Sequence, residues 1–152
     1  MTNVDPAVLV EIAELSLRVG RAVEPHGPDG VAGVTPLTGT EAAVMRWIHR
    51  NPGTSAAAGA VGTDLQRSNF SAALRSLEEK GMVSRTPDPD DARSIRLSAT
   101  PTAEIGIKRL HDFWVGRLGT ALRDSGAEIS AADLQTVERV LTELDAGLRA
   151  RR

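Results

Sequence analysis

The stretch from Arg67 to Thr100, RSNFSAALRSLEEKGMVSRTPDPDDARSIRLSAT, leaves this chain few folds to choose from. Phe70, Leu74 and Leu77 recur at spacings of four and three, which marks one face of a helix. Gly81 follows, where a helix end favours a left-handed residue. MVSRT and SIRLSAT then alternate on either side of a loop that holds two prolines, three aspartates and one arginine, Arg93. A helix that stops on glycine and runs straight into a long-tipped hairpin is a specific arrangement. Upstream, Thr54 or Ser55 caps a short helix to about Thr63, and DLQ turns the chain. Ala60, Asp64 and Phe70 follow the small, turn and buried-apolar rhythm of a helix-turn-helix. The turn position usually takes glycine for its positive φ, and aspartate is among the few other residues that tolerate it. The pattern predicts a winged helix-turn-helix: mainly α with a small β-hairpin.

The remaining segments frame this unit. Pro6 to about Val23 reads as a helix on Val8, Leu9, Ile12, Leu15 and Val19. The Pro- and Gly-rich stretch 24–36 breaks it. Thr38 and Glu41 match a capping box, opening a helix to about Arg50 that buries some of Val44, Met45, Trp47 and Ile48. Thr100-Pro101 starts a helix to about Asp124, striped by Ile107, Leu110, Trp114, Leu118 and Leu122. Ser130 caps a last helix to about Arg149, carrying Leu134, Val137, Leu141, Leu144 and Leu148. The 152 residues therefore read as one chain with a winged lobe at 37–99 and flanking helices at 6–23 and 101–149. A long helix with a continuous apolar stripe needs cover. Two such flanking elements on a small core predict a homodimer, with Leu9, Ile12, Leu118, Val137, Leu141, Leu144 and Leu148 at its interface.

Composition narrows the function classes. No apolar run approaches the ~20 residues of a membrane span, and the first residues lack the basic start and apolar core of a secretory signal. No cysteine is present, which excludes disulfides, thiolate zinc sites and thiol switches and fits the cytoplasm. His26, His49 and His111 are scattered, with no ligand at metal spacing, so neither a metal nor a cofactor is expected. No serine sits in a nucleophile elbow and no glycines form a phosphate loop, so the chain does not read as an enzyme. A net charge of −2 argues against purely electrostatic nucleic-acid binding, but not against a reader whose positive charge is localised.

The helix from Arg67 localises it. Phe70, Leu74 and Leu77 face inward, while Ser68, Ser71, Ala72 and Arg75 share the outward face, with Arg67 and Asn69 in the first turn. The acids Glu78 and Glu79 wait until the last turn. Small bulk, hydrogen-bond donors and a positive dipole end suit a major groove. An ordinary amphipathic helix would have the same periodicity, and it is the preceding turn and following hairpin that favour double-stranded DNA as the partner.

These segments resemble the core of the MarR family of bacterial transcriptional regulators. The likeness rests on Leu77-Glu78-x-Lys80-Gly81-Met82-Val83-x-Arg85 and Asp88-Pro89-x-Asp91-x-Arg93-Ser94, then Thr100. It covers roughly 37–110 and, more loosely, the end helices. It implies a homodimeric winged-helix protein, usually a repressor, often released from DNA by a small molecule; a dimer that sets two recognition helices one DNA turn apart is expected to bind a pseudo-palindromic operator. Family members commonly carry arginine where this chain has Ala72, which leaves Arg67, Asn69 and Arg75 as the contacts expected here. At the hairpin tip, Arg93 is placed to enter the minor groove. Asp91 is placed to orient it through a charge-assisted hydrogen bond, though a surface ion pair would look the same. Trp47, His111 and Trp114 mark an expected ligand cleft between lobe and end helices, the alternative for both tryptophans being core packing. A winged-helix module that binds protein instead of DNA is the competing reading, supported by the net negative charge.

Overall fold

A computed structural model describes residues 4–25, 31–91 and 94–150. Six helices and one hairpin run in the order α1 (Pro6–Val23), α2 (Gly39–Arg50), α3 (Ala56–Gly62), α4 (Arg67–Glu79), β1 (Val83–Pro87), β2 (Ile95–Ala99), α5 (Pro101–Asp124) and α6 (Ala131–Arg149). Side-chain caps set most helix starts. Asp5, Thr38, Ser55, Thr100 and Ser130 each accept a backbone N–H from the first turn that follows. Thr38 and Ser130 complete reciprocal capping boxes with Glu41 and Asp133. Of the two candidates before α3, Ser55 is the cap.

The core lies in the winged lobe. Val44, Met45 and Ile48 of α2 pack with Ala60 of α3, with Phe70, Leu74 and Leu77 of α4, and with Val83 and Leu97 of the hairpin. Trp47 is only half-buried at the edge of this cluster. Asp64 takes φ 56 between α3 and α4, the left-handed turn the sequence predicts, and Gly81 takes φ 69 after α4. β1 and β2 pair antiparallel with Val83 opposite Ala99 and Thr86 opposite Arg96. The sequence pattern did not announce a further pairing: Gly53 N donates to Leu97 O and Leu97 N to Thr54 O, both at 2.8 Å. The α2–α3 link thus joins the far edge of β2 and fixes the hairpin against the helix-turn-helix.

Two glycines of α3 serve close packing. A Cβ on Gly59 would sit 2.3 Å from Phe70 Cζ, and one on Gly62 would sit 2.1 Å from the Trp47 ring. Composition alone marks these glycines as weakening α3, whereas here each admits a ring. We expect Gly59→Ala to destabilise the chain by about 1–3 kcal/mol in urea denaturation, because Phe70 is fixed in the core. Gly106→Ala, with nothing within 4 Å of its Cβ position, should instead gain up to about 1 kcal/mol from helix propensity.

Outside the lobe, α5 holds the end of α1. Trp114 Nε1 donates to Val23 O at 2.9 Å and Arg117 Nε to Ala22 O. Neither α1 nor α6 contains a buried residue.

Candidate nucleic-acid interface

α4 presents the face read from its sequence. Arg67, Ser68, Asn69, Ser71, Ala72 and Arg75 are all exposed, opposite the buried Phe70, Ala73, Leu74 and Leu77. Gln66 precedes the helix without a side-chain cap bond, so no side chain of its own occupies the first-turn amides of α4. Among the described residues, neither Arg67 nor Arg75 lies within ion-pair distance of a carboxylate. Glu78 is engaged: Arg85 on β1 donates to it through Nε and through Nη2, the latter at 2.9 Å. That bond raises the Arg85 pKa above its ordinary value. Positive charge on the leading turns of α4 is therefore unpaired, while one of the two acids of its last turn, Glu78, is held by the wing. A chain of net charge −2 can still present a locally positive face.

The hairpin tip is organised by Asp88. Its Oδ1 accepts the Asp90 N–H at 2.9 Å, and its own N–H donates to Ser94 O at 2.9 Å. Arg96, on the outer face of β2, lies 2.8 Å from Asp88 and 3.2 Å from Asp90. The Arg96 guanidinium holds the Asp88 carboxyl below its usual range. Sequence reasoning did not single out Arg96, because its two partners become neighbours only when the strands pair. Asp91 is exposed and its carbonyl accepts the Ser94 N–H at 2.9 Å. Arg93 lies outside the described residues, so its expected contact with Asp91 does too.

The residues expected to form a ligand cleft do not come together. Trp47 lines a cavity between α2, α3 and the end of α6, and neither His111 nor Trp114 lines it. His111 and Trp114 pack on each other instead, with ring centroids 5.5 Å apart. His49 sits 6.3 Å from His111 and 3.0 Å from Glu104, joining α2 to α5. The residues expected at a dimer interface, Leu9, Leu118, Val137, Leu141, Leu144 and Leu148, all lie exposed along α1, α5 and α6, with Ile12 half-buried. Among the described residues, no helix is long and apolar enough to cross a membrane, and no cluster of three metal-ligating side chains occurs.

A short helix, a left-handed turn, a helix with an open polar face and a hairpin braced against both define a winged helix-turn-helix protein. Comparison with known proteins agrees. Residues 35–94 match the model of the MarR family. That match spans the winged lobe, and the chain shares the fold of MarR-like regulators over nearly all of its length. A protein of Thauera aromatica assigned to transcriptional regulation of the hcr operon is 38% identical over 113 residues, which is 74% of this chain and 63% of that protein. The chain thus aligns with somewhat under two thirds of that relative. The crystal structure of MarR superposes with a TM-score of 0.63 at 23% identity, covering 95% of this chain and 98% of the other. Streptococcus pneumoniae FabT, crystallised in complex with DNA, superposes with a TM-score of 0.64 at 18% identity, covering 96% of each chain.

Proposed function

We propose that this chain binds double-stranded DNA sequence-specifically as a homodimer in the cytoplasm and regulates transcription, acting as a ligand-responsive repressor rather than as an enzyme. The observation that carries the reading is the exposed face of α4, with Arg67 and Arg75 uncompensated and its one paired acid turned to the wing. α4 lies in the major groove, Arg67, Asn69 and Arg75 reach base edges, and Ser68 and Ser71 meet phosphates. Arg93 reaches for the minor groove, oriented by Asp91. The DNA complex of FabT and the regulatory assignment of the Thauera protein support the same reading. Dimerisation is supported by the uncovered apolar residues of α1 and α6, among them Leu9, Val137, Leu141 and Leu148. Two recognition helices one DNA turn apart call for half-sites about 10 bp apart. The His49, His111 and Trp114 cluster, set where α2 meets α5, supports an effector that changes the angle between the lobes.

Titration of labelled genomic duplex at several salt concentrations tests this. Log K should fall with log salt at a slope of about −0.9 per neutralised phosphate. Arg75→Ala should weaken binding to the selected operator by about 1–3 kcal/mol, leaving thermal unfolding unchanged. Absence of binding at low salt to any genomic fragment would instead favour a winged-helix module that binds protein.

A further inference from the structure

Of the residues that α4 exposes, Arg67, Ser68, Asn69, Ser71, Arg75 and Glu79 all carry hydrogen-bonding side chains, and Ala72 carries none. At about 3.6 residues per turn, Ser68, Ala72 and Glu79 point most directly away from the buried Phe70, Leu74 and Leu77. Ser68 sits in the first turn and Glu79 in the last, so Ala72 occupies the middle of this outward ridge. Nothing bulky stands beside it on the approach. Ser68 and Ser71 are short, and the recess on the flank towards α3 is bordered by Ala56, Ala57, Arg67 and Ser71.

Alanine is the best helix former, and that role would leave Ala72 indifferent to the bases opposite it. A helix seated in a major groove gives it more to do. An apolar methyl group has one matching partner there, the C5-methyl of thymine, because the other readout groups on the base edges are hydrogen-bond donors and acceptors. A purely polar base edge set against Ala72 gives up its water without gaining a hydrogen bond.

We propose that Ala72 is a specificity-determining residue, whose methyl group packs on the C5-methyl of a thymine at one step of each half-site. This rests on the proposed docking of α4 in the major groove. It assigns a base to the one position on the ridge that cannot hydrogen-bond, while Arg67, Asn69 and Arg75 read the steps around it. The contact is apolar, so salt does not screen it as it screens the phosphate contacts.

Uracil scanning of an operator selected from a random duplex pool tests it. Each thymine is replaced singly by deoxyuridine, which removes the C5-methyl and keeps the base pair. One thymine in each half-site should cost about fourfold in affinity when replaced, the contribution of one buried methyl group. That ratio should hold as salt is raised, although the affinity itself falls. In Ala72→Gly the thymine and uracil duplexes should bind equally. Glycine also weakens the helix, but that cost falls on both duplexes and cancels in the ratio. Ala72→Gln keeps a good helix former and brings an amide that pairs with adenine, so reselection should replace thymine by adenine at that step. The proposal is overturned if no thymine is sensitive to loss of its methyl, if the sensitive thymine stays so in Ala72→Gly, or if Ala72→Gln selects the parent operator. Absence of DNA binding by the parent chain at low salt would overturn the proposed function itself, and this assignment with it.

Discussion

Glu41→Gln should lower the unfolding free energy by about 2–3 kcal/mol at neutral pH, and the difference from the parent chain should shrink as the pH falls. Among the described residues, Glu41 is the one charged side chain that is buried. Its carboxylate accepts the Thr38 N–H at 2.7 Å, the Ser76 hydroxyl at 2.5 Å and the Lys80 ammonium at 2.8 Å on both oxygens. Lys80 also donates to Pro36 O at 3.2 Å. One carboxylate therefore caps α2, ties its start to the end of α4 and holds the segment leading into it. Glutamine keeps the shape and one acceptor but loses the charge that Lys80 and Ser76 stabilise. The Lys80 side chain is 31% exposed and turns to water when its partner is neutral, which keeps the loss below that of breaking a fully buried pair. The bonds from Lys80 and Ser76 lower the Glu41 pKa from 4.5 to about 2. A depressed pKa means that the folded state favours the ionised form. The stabilisation is therefore complete above about pH 4.5 and is lost as the pH falls towards 2. Urea denaturation of both proteins between neutral pH and pH 3 measures this. A constant gap over that range would show that the charge of Glu41 contributes nothing.

The same residue shows what the sequence reveals and what it withholds. The capping box of Thr38 and Glu41 is local, and its spacing alone exposes it. Ser76 and Lys80 lie 35 and 39 residues away and join only when α2 packs on α4. Periodicity reports which face of an element is apolar, and so Phe70, Leu74 and Leu77 are legible as core and Ser71 and Arg75 as surface. It does not report which ring meets which helix. Gly59 and Gly62 therefore read as weak points, and only the packed structure shows Phe70 and Trp47 seated on them. The turn at Asp64 was legible because few residues tolerate its backbone angle. The structure sets Trp47 at a different cavity from the paired His111 and Trp114, a placement the sequence does not carry because residues on different helices have no mutual register in it.

Ser71→Glu should reduce affinity for the selected operator by about a hundredfold or more, without loss of stability. Ser71 is exposed near the middle of the outward face of α4, between Arg67 one turn before it and Arg75 one turn after it. In the proposed complex this position faces phosphates, which are anions, and base edges, which carry acceptors beside their few amino donors. A carboxylate there brings like charges together in a desolvating interface, which costs several kcal/mol. It also pairs with Arg67 or Arg75 at i, i+4 and withdraws a donor from the groove. In the free protein the same pairs are mildly favourable, worth a few tenths of a kcal/mol, so unfolding should move little. Thr40→Glu separates this local effect from net charge. Thr40 is exposed in the first turn of α2, at the end of the lobe where Glu41 meets Lys80, and a glutamate there adds the same charge far from the leading turns of α4. Its affinity should stay within about twofold at moderate salt, because exposed charges beyond a Debye length of about 10 Å are largely screened. Equal losses in the two variants would mean that long-range charge controls binding and that α4 does not dock through this face. An unchanged affinity in Ser71→Glu, with DNA still bound, would place the DNA on another surface of the lobe.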